Sequence, residues 1–261
     1  MSGEIWTLLG ANLTILLVVM SLLAIPSLRT RDPSYVDAFW GIGFVLVAVA
    51  TLVQTDGDRT RVAWLVGLTA LWGFRLGGYL FWRWRKQGPD PRYQRMLAGQ
   101  AHPRLFVWRN VFLVQALVLM VTSLPVQLGQ LYDDPMTIGN WVGVGLALAG
   151  IGFESVADLQ LTRFKGDPAN AGTVMDRGLW RNSRHPNYFG ESVTWWGLGI
   201  LAVSNGPSVA TLLGPAVITF FLLKVCGVTM LERSLTKTKP QYADYIRSTS
   251  TFIPLPRKRA A

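Results

Sequence analysis

Long apolar runs, broken at intervals by short basic links, decide what this chain can become. Crossing the hydrocarbon core takes about 20 apolar residues in a helix. Seven runs approach that length, at residues 5–27, 37–54, 62–82, 108–128, 138–160, 188–204 and 208–231. Inside a bilayer every backbone polar group must be satisfied within the protein, so such runs become helices. The expected fold is therefore all-α: one bundle of seven transmembrane helices. Half of the 261 residues are hydrophobic, only 15% are charged and eleven are Trp, a balance outside the range of soluble domains. The stretch from 5 to 28 is too long for a signal-peptide core and has no basic region ahead of it, so it reads as the first span.

The net charge of +10 could suggest nucleic acid. The basic residues, however, fall between apolar runs rather than along one polar face, which points to membrane topology and lipid headgroups instead. They gather in the links after runs one, three and five and in the tail after run seven. Only Arg59, Arg61, Arg75 and Lys224 of the 25 lie elsewhere. That bias predicts an outside N-terminus and a cytoplasmic C-terminus. The single cysteine, Cys226, sits within an apolar run, which excludes a disulfide framework. With only His102 and His185, no multi-histidine metal centre is expected.

The link from Asp176 to Glu191, DRGLWRNSRHPNYFGE, is richest in groups that a lipid-facing helix would reject. Its basic residues alternate with acids and amides, as do Asp158, Arg163 and Lys165 just before it. Topology alone needs only Lys and Arg. Donors, acceptors and fixed carboxylates together suit a pocket for a polar, phosphate-bearing ligand. Glu154 and Asp158 share one helix face, and Glu191 follows Tyr188 into the sixth run. His185, beside Pro186, suits a structural or phosphate-binding role better than catalysis. Earlier in the chain, Asp37 opens the second run, either as an N-terminal helix carboxylate or as an acid facing a cavity. Arg75 and Tyr79 lie one turn apart in the third, where Arg75 either snorkels to the interface or faces a cavity. There is no GxGxxG, Walker loop, nucleophile elbow or HExxH. Any nucleotide must be held by the helices and their links.

RHPNYFGE with the preceding GLW, the upstream ADLQLTRFK and the tail ERSL…YADYIRSTSTFIPLPRK resemble the C-terminal half of steroid 5α-reductases, above all their bacterial membrane homologues. The likeness spans about residues 150–256 and extends more weakly to VDAFW, WGFRLGGY and DPRYQRM. It implies an NADPH-dependent reduction of the Δ4 double bond of a 3-oxo-steroid or similar lipophilic enone, in a bacterial inner-membrane protein that acts as a monomer among lipids. It implies substrate-side helices over 1–135 and a cytoplasm-facing cofactor region over 136–261. Asp158, Lys165, Arg184, Asn187, Tyr188, Glu191 and Tyr245 match the cofactor region, joined by Arg75, Arg92 and Tyr93; Arg163 and His185 join the same cofactor set as basic and hydrogen-bonding groups of that link. Asp37 and Tyr79 match, by region, the pair that polarises the substrate carbonyl. ERSL replaces a histidine-rich stretch of the mammalian enzymes, so no role passes to Glu232 or Arg233. Isoprenylcysteine methyltransferases also resemble RHPNYFGE, and would put S-adenosylmethionine in the pocket. That ligand has no phosphates, which leaves so basic a link in excess.

Overall fold

The computed structural model describes residues 2–203, 208–225 and 227–257. Cys226, the end of the sixth expected run at Ser204 with the link at 205–207, and Lys258 and Arg259 of the basic tail lie outside the described residues. The described chain is helical throughout. Its only strand-like contact is a parallel bridge between Ser183 and Ser250. The helices are α1 (Ser2–Thr30), α2 (Val36–Leu52), α3 (Arg59–Gln87), α4 (Pro91–Leu97), α5 (Pro103–Val107), α6 (Val114–Thr122), α7 (Leu124–Leu128), α8 (Ile138–Gly166), α9 (Pro186–Leu201), α10 (Leu213–Phe220), α11 (Val228–Thr238) and α12 (Tyr242–Ser248). They form two compact units, Met1–Asn140 with Leu201–Gly214, and Trp141–Ile200 with Pro215–Ala261.

Three helical stretches, Gly3–Thr30, Pro103–Thr122 and Ile138–Gly166, are long and apolar enough to cross a membrane, and Val36–Leu52 and Val209–Val225 are shorter apolar stretches. This is a helical membrane protein. Large apolar side chains such as Trp6, Leu22, Phe74, Leu117 and Trp141 are exposed while Asn12, Thr51, Gln127 and Gln130 are buried. That distribution suits hydrocarbon as the solvent.

Several expected boundaries move for local reasons. The run at 108–128 becomes a helix from Pro103 through a π turn at Trp108–Leu113 to Thr122. A new helix then begins at Leu124, with Pro125 in its first turn, where a missing N–H costs nothing. α3 is longer than the run at 62–82: Asp58 caps it by accepting from the Arg61 amide at 2.7 Å, and Gly88 ends it with φ at +76°. The run at 208–231 is divided. α10 passes through a π turn at Phe221–Val225, and α11 continues to Thr238.

In the first unit, α2 and α3 touch backbone to backbone. A Cβ on Gly41 would stand 2.4 Å from the Gly73 carbonyl oxygen, and one on Gly73 2.5 Å from that of Gly41. Membrane helices pack closely through such small residues because a lipid environment supplies no hydrophobic drive between them. Trp72 then meets Phe44 edge to face, with ring centres 5.5 Å apart. Buried amides add hydrogen bonds: Asn12 donates to Thr51 and Gln127, each at 2.9 Å, and Gln54 donates to Asn12 at 3.0 Å. Arg61, in the first turn of α3, is fully buried. It reaches across to the backbone of Tyr132 and to both the backbone and carboxylate of Asp134.

In the second unit, α8 and α9 make the same kind of contact. Cβ atoms on Gly150, Gly190 and Gly197 would fall 2.4, 2.6 and 2.4 Å from backbone atoms of Thr194, Glu154 and Ala147. This close approach sets the buried carboxylates of α8 beside the first turns of α9.

Replacing Gly73 with Leu should force α2 and α3 apart and destabilise the protein by about 1–3 kcal/mol or more. Thermal unfolding of the detergent-solubilised protein will measure it. Gly78→Ala, which meets nothing within 4 Å, should leave the midpoint unchanged.

Candidate functional site

The polar residues singled out by sequence collect in two clusters, one in each unit. In the first unit the centre is Asp37, in the opening turn of α2. Its Oδ2 accepts from Arg92 Nη2 at 2.8 Å and its Oδ1 from the Tyr93 hydroxyl at 2.5 Å. Asp90 caps α4, and its Oδ2 accepts from Arg92 Nε and Nη2 at 3.0 and 2.8 Å. A single guanidinium therefore serves two carboxylates. Burial alone would raise the Asp90 carboxyl, but its bonds to Arg92 outweigh that and hold it below the ordinary range. Burial, followed by the Asp37 charge, pushes the Tyr93 hydroxyl well up, so it stays a neutral donor.

Asp37 and Asp90 also line a cavity of about 250 Å³ with Ser34, Arg83, Trp84 and Gln87. One turn before Arg83, Tyr79 stacks on Trp82, and the Arg83 guanidinium lies 5.9 Å from the Tyr79 ring centre. Arg75, one turn further back, is half-buried.

In the second unit the link from 176 to 191 is held by the C-terminal tail. Gly178 takes a φ of +57°, which starts a tight 3₁₀ turn over Gly178–Arg181. That turn is tied to α8 by Trp180 Nε1 on the Ala157 carbonyl at 3.0 Å and by the Leu179 amide on Gln160 at 2.9 Å. Asn182–Arg184 then runs beside the tail: Arg184 N donates to Ser250, Leu255 N to Asn182, and Ser183 Oγ to Phe252.

Arg184 is the clasp. Its Nε and Nη2 bond Glu232 at 2.6 and 3.3 Å, its Nη1 bonds the carbonyls of Ile246 and Thr249 at 3.1 and 2.5 Å, and Nη2 also reaches Thr251 at 2.7 Å. A guanidinium has five N–H donors, and these bonds occupy all of them. The Tyr245 hydroxyl is likewise turned inward, onto the carbonyls of Trp180 and Ser183. Arg184 and Tyr245, read from sequence as cofactor contacts, thus hold the tail against the motif and have no donor left for a phosphate.

His185 is 1% exposed, and its Nε2 lies 3.2 Å from Glu232. Its ring stacks on Tyr188 at 5.5 Å and 4°. Asn187 donates to Asp158 at 3.3 Å, while its own Oδ1 and the His185 Nδ1 are buried without a partner among the described residues. Glu154, Asp158 and Glu191 are all buried, at 2%, 6% and 7% exposure. Arg163 and Lys165 are exposed at the end of α8. The sequence reading gave Glu232 no role. It pairs with Arg184 from 48 positions away, and its only sequence signal is a carboxylate placed where an apolar run ends. Among the described residues no group of His, Cys, Asp and Glu could hold a metal.

A family profile described as "Protein of unknown function (DUF1295)" matches residues 4–249, almost the whole chain. The chain belongs to the DUF1295 family. No curated protein and no solved structure matches it.

Burial alone would raise the Glu232 carboxyl, but hydrogen bonds from His185 and Arg184 outweigh it and hold Glu232 below its ordinary 4.5. The stability this clasp contributes is then complete above pH 4.5 and lost as the pH falls through the lowered value. Thermal unfolding from neutral pH down through the carboxylate range should show a steeper loss for the native protein than for Glu232→Gln. Arg184→Met leaves a carboxylate without its cation and should destabilise by about 3–5 kcal/mol at neutral pH.

Proposed function

We propose that this DUF1295 protein is an NADPH-dependent membrane reductase acting on the Δ4 double bond of a 3-oxo-steroid or a similar lipophilic enone. The reading takes it as a seven-span bundle of the bacterial inner membrane, N-terminus outside and cofactor region facing the cytoplasm. The observation that carries it is the group around Asn187. The half-buried amide of Asn187 donates to Asp158 while its own buried carbonyl oxygen has no partner among the described residues, and the carboxylates of Glu154 and Glu191 are buried on the same two helices. A carboxamide such as that of nicotinamide has an N–H pair to give the acceptors and an oxygen to take the Asn187 donor. The exposed Arg163 and Lys165 at the end of α8 suit the phosphates.

The dinucleotide supplies a hydride when bound; the chain binds, orients and excludes water. Reduction of an enone builds negative charge on its carbonyl oxygen, which a fixed hydroxyl donor stabilises. Tyr79 takes that role. Asp37 engages Arg92 and Tyr93 with both oxygens and so acts as an acceptor, positioning those two residues rather than donating to the carbonyl.

One observation favours the methyltransferase reading as a second possibility. S-adenosylmethionine has no phosphates to occupy the basic link, and Arg184 is fully engaged by Glu232 and the tail. One cation fewer is then available to a phosphate. Thermal shift of the purified protein separates the two: NADPH should raise the midpoint and S-adenosylmethionine should not, and the reverse result establishes the methyltransferase. Asn187→Ala and Glu191→Gln should each weaken NADPH binding by about tenfold, as one lost hydrogen bond to a charged or buried partner would. Tyr79→Phe should lower turnover of an enone while cofactor affinity stays within about twofold.

A further inference from the structure

The cavity beside Asp37 has a charge pattern that the reductase reading does not use. Three carboxylates surround it: Asp37 and Asp90 in its wall, and Asp32, which accepts from the wall residues Ser34 and Trp84. Two guanidiniums answer them. Arg92 is shared between Asp37 and Asp90 behind the wall, and Arg83 stands in the wall itself. Among the described residues Arg83 makes a contact with the Tyr79 ring but no ion pair. The Arg83 charge acts on Asp37 and Asp90 across the cavity without a direct ion pair among the described residues, so three carboxylates stand at one place and a guanidinium at another.

We propose that this cavity binds the headgroup of a zwitterionic membrane lipid, one with a primary ammonium and a phosphate joined by a short linker. The ammonium has three N–H donors and meets acceptors on Asp37, Asp90 and Ser34. The phosphate meets Arg83 in the cavity wall. A bare anion would face the three carboxylates, and a bare cation would leave Arg83 unanswered. A quaternary ammonium has no N–H to give these acceptors, and the cavity offers it Trp84 rather than an aromatic cage. At about 250 Å³ the space suits a headgroup rather than a whole lipid. The lipid form is favoured over the free headgroup by Phe81 and Trp82, 52% and 44% exposed on the adjoining turn of α3. Such aromatics mark the level where headgroups meet acyl chains. Every residue of this site belongs to the first unit, so the site stands whether or not the reductase reading holds.

Purified, delipidated protein is titrated with dihexanoyl phosphatidylethanolamine, phosphatidylcholine, phosphatidylglycerol or soluble phosphoethanolamine, and thermal midpoint and native mass are recorded. Phosphatidylethanolamine should bind as one adduct and raise the midpoint most, with soluble phosphoethanolamine weaker because it lacks chains. Arg83→Gln should weaken binding by about tenfold, whereas Lys86→Gln, outside the cavity, should change it by less than about twofold. Phosphatidylglycerol binding equally well would show a general basic surface and overturn the proposal. So would phosphatidylcholine matching phosphatidylethanolamine, or an unchanged Arg83→Gln variant that elutes as folded protein. Phosphoethanolamine matching the lipid would assign the site to a soluble ligand and overturn the lipid source.

Discussion

The guanidinium of Arg184, with every donor engaged, is the contact on which the second unit depends. A buried cation is costly unless its charge and all its donors are met. Here they are met by a carboxylate on α11 and by three partners in the α12 tail. One side chain thereby joins RHPNY to two segments far along the chain. Its carboxylate partner also holds His185, whose ring supports Tyr188. Tyr245 reinforces the clasp from the opposite direction by bonding the carbonyls of the turn it covers. With the link pinned this way, Asn187 and Glu191 begin α9 next to the acids of α8, and the glycine contacts between those helices leave no room for them to drift.

The first unit reaches the same end with opposite charge. Asp37 is the acceptor there, and Arg92 and Tyr93 close upon it as the tail closes upon Arg184. Both clusters place ionic groups where helix ends meet links, the depth at which charge costs least in a membrane protein. Deeper in, the unit relies on neutral amides and hydroxyls, such as Asn12 with Thr51 and Gln127, and on the bare backbones of Gly41 and Gly73. Uncharged hydrogen bonds satisfy polar atoms there without desolvating an ion.

Much of this organisation was legible in the chain. Apolar runs of membrane length announce helices because hydrocarbon leaves the backbone no other partner, and α1 and α8 lie where the runs predict them. The concentration of polar residues in RHPNYFGE singles the motif out as a candidate ligand pocket, and the structure places Arg184 and His185 of that motif in buried polar contacts. Which contacts it makes was not legible. Arg184 looks in sequence like a free cation beside a histidine, and only its surroundings turn it from a ligand contact into a clasp. Arg61 looks like one member of a balanced local link, yet its partner Asp134 lies 73 positions away. The break before Pro125 was visible as a residue type, but an apolar run hides it because hydropathy is blind to a missing N–H.

By itself, then, the sequence determined that this protein is helical, that it belongs in a membrane, and where its polar residues concentrate. These follow from transfer free energies summed over neighbouring residues, which need no knowledge of the fold. The tertiary structure decided the pairings: Arg184 with Glu232, Asp37 with Arg92 and Tyr93, Arg61 with Asp134, and glycine against glycine between helices. Each joins groups remote in the chain, and hydrogen bonds act over a few ångströms while sequence patterns carry only near-neighbour spacing. Whether a given charge serves a ligand or the fold is set by which donors remain once those pairings are made.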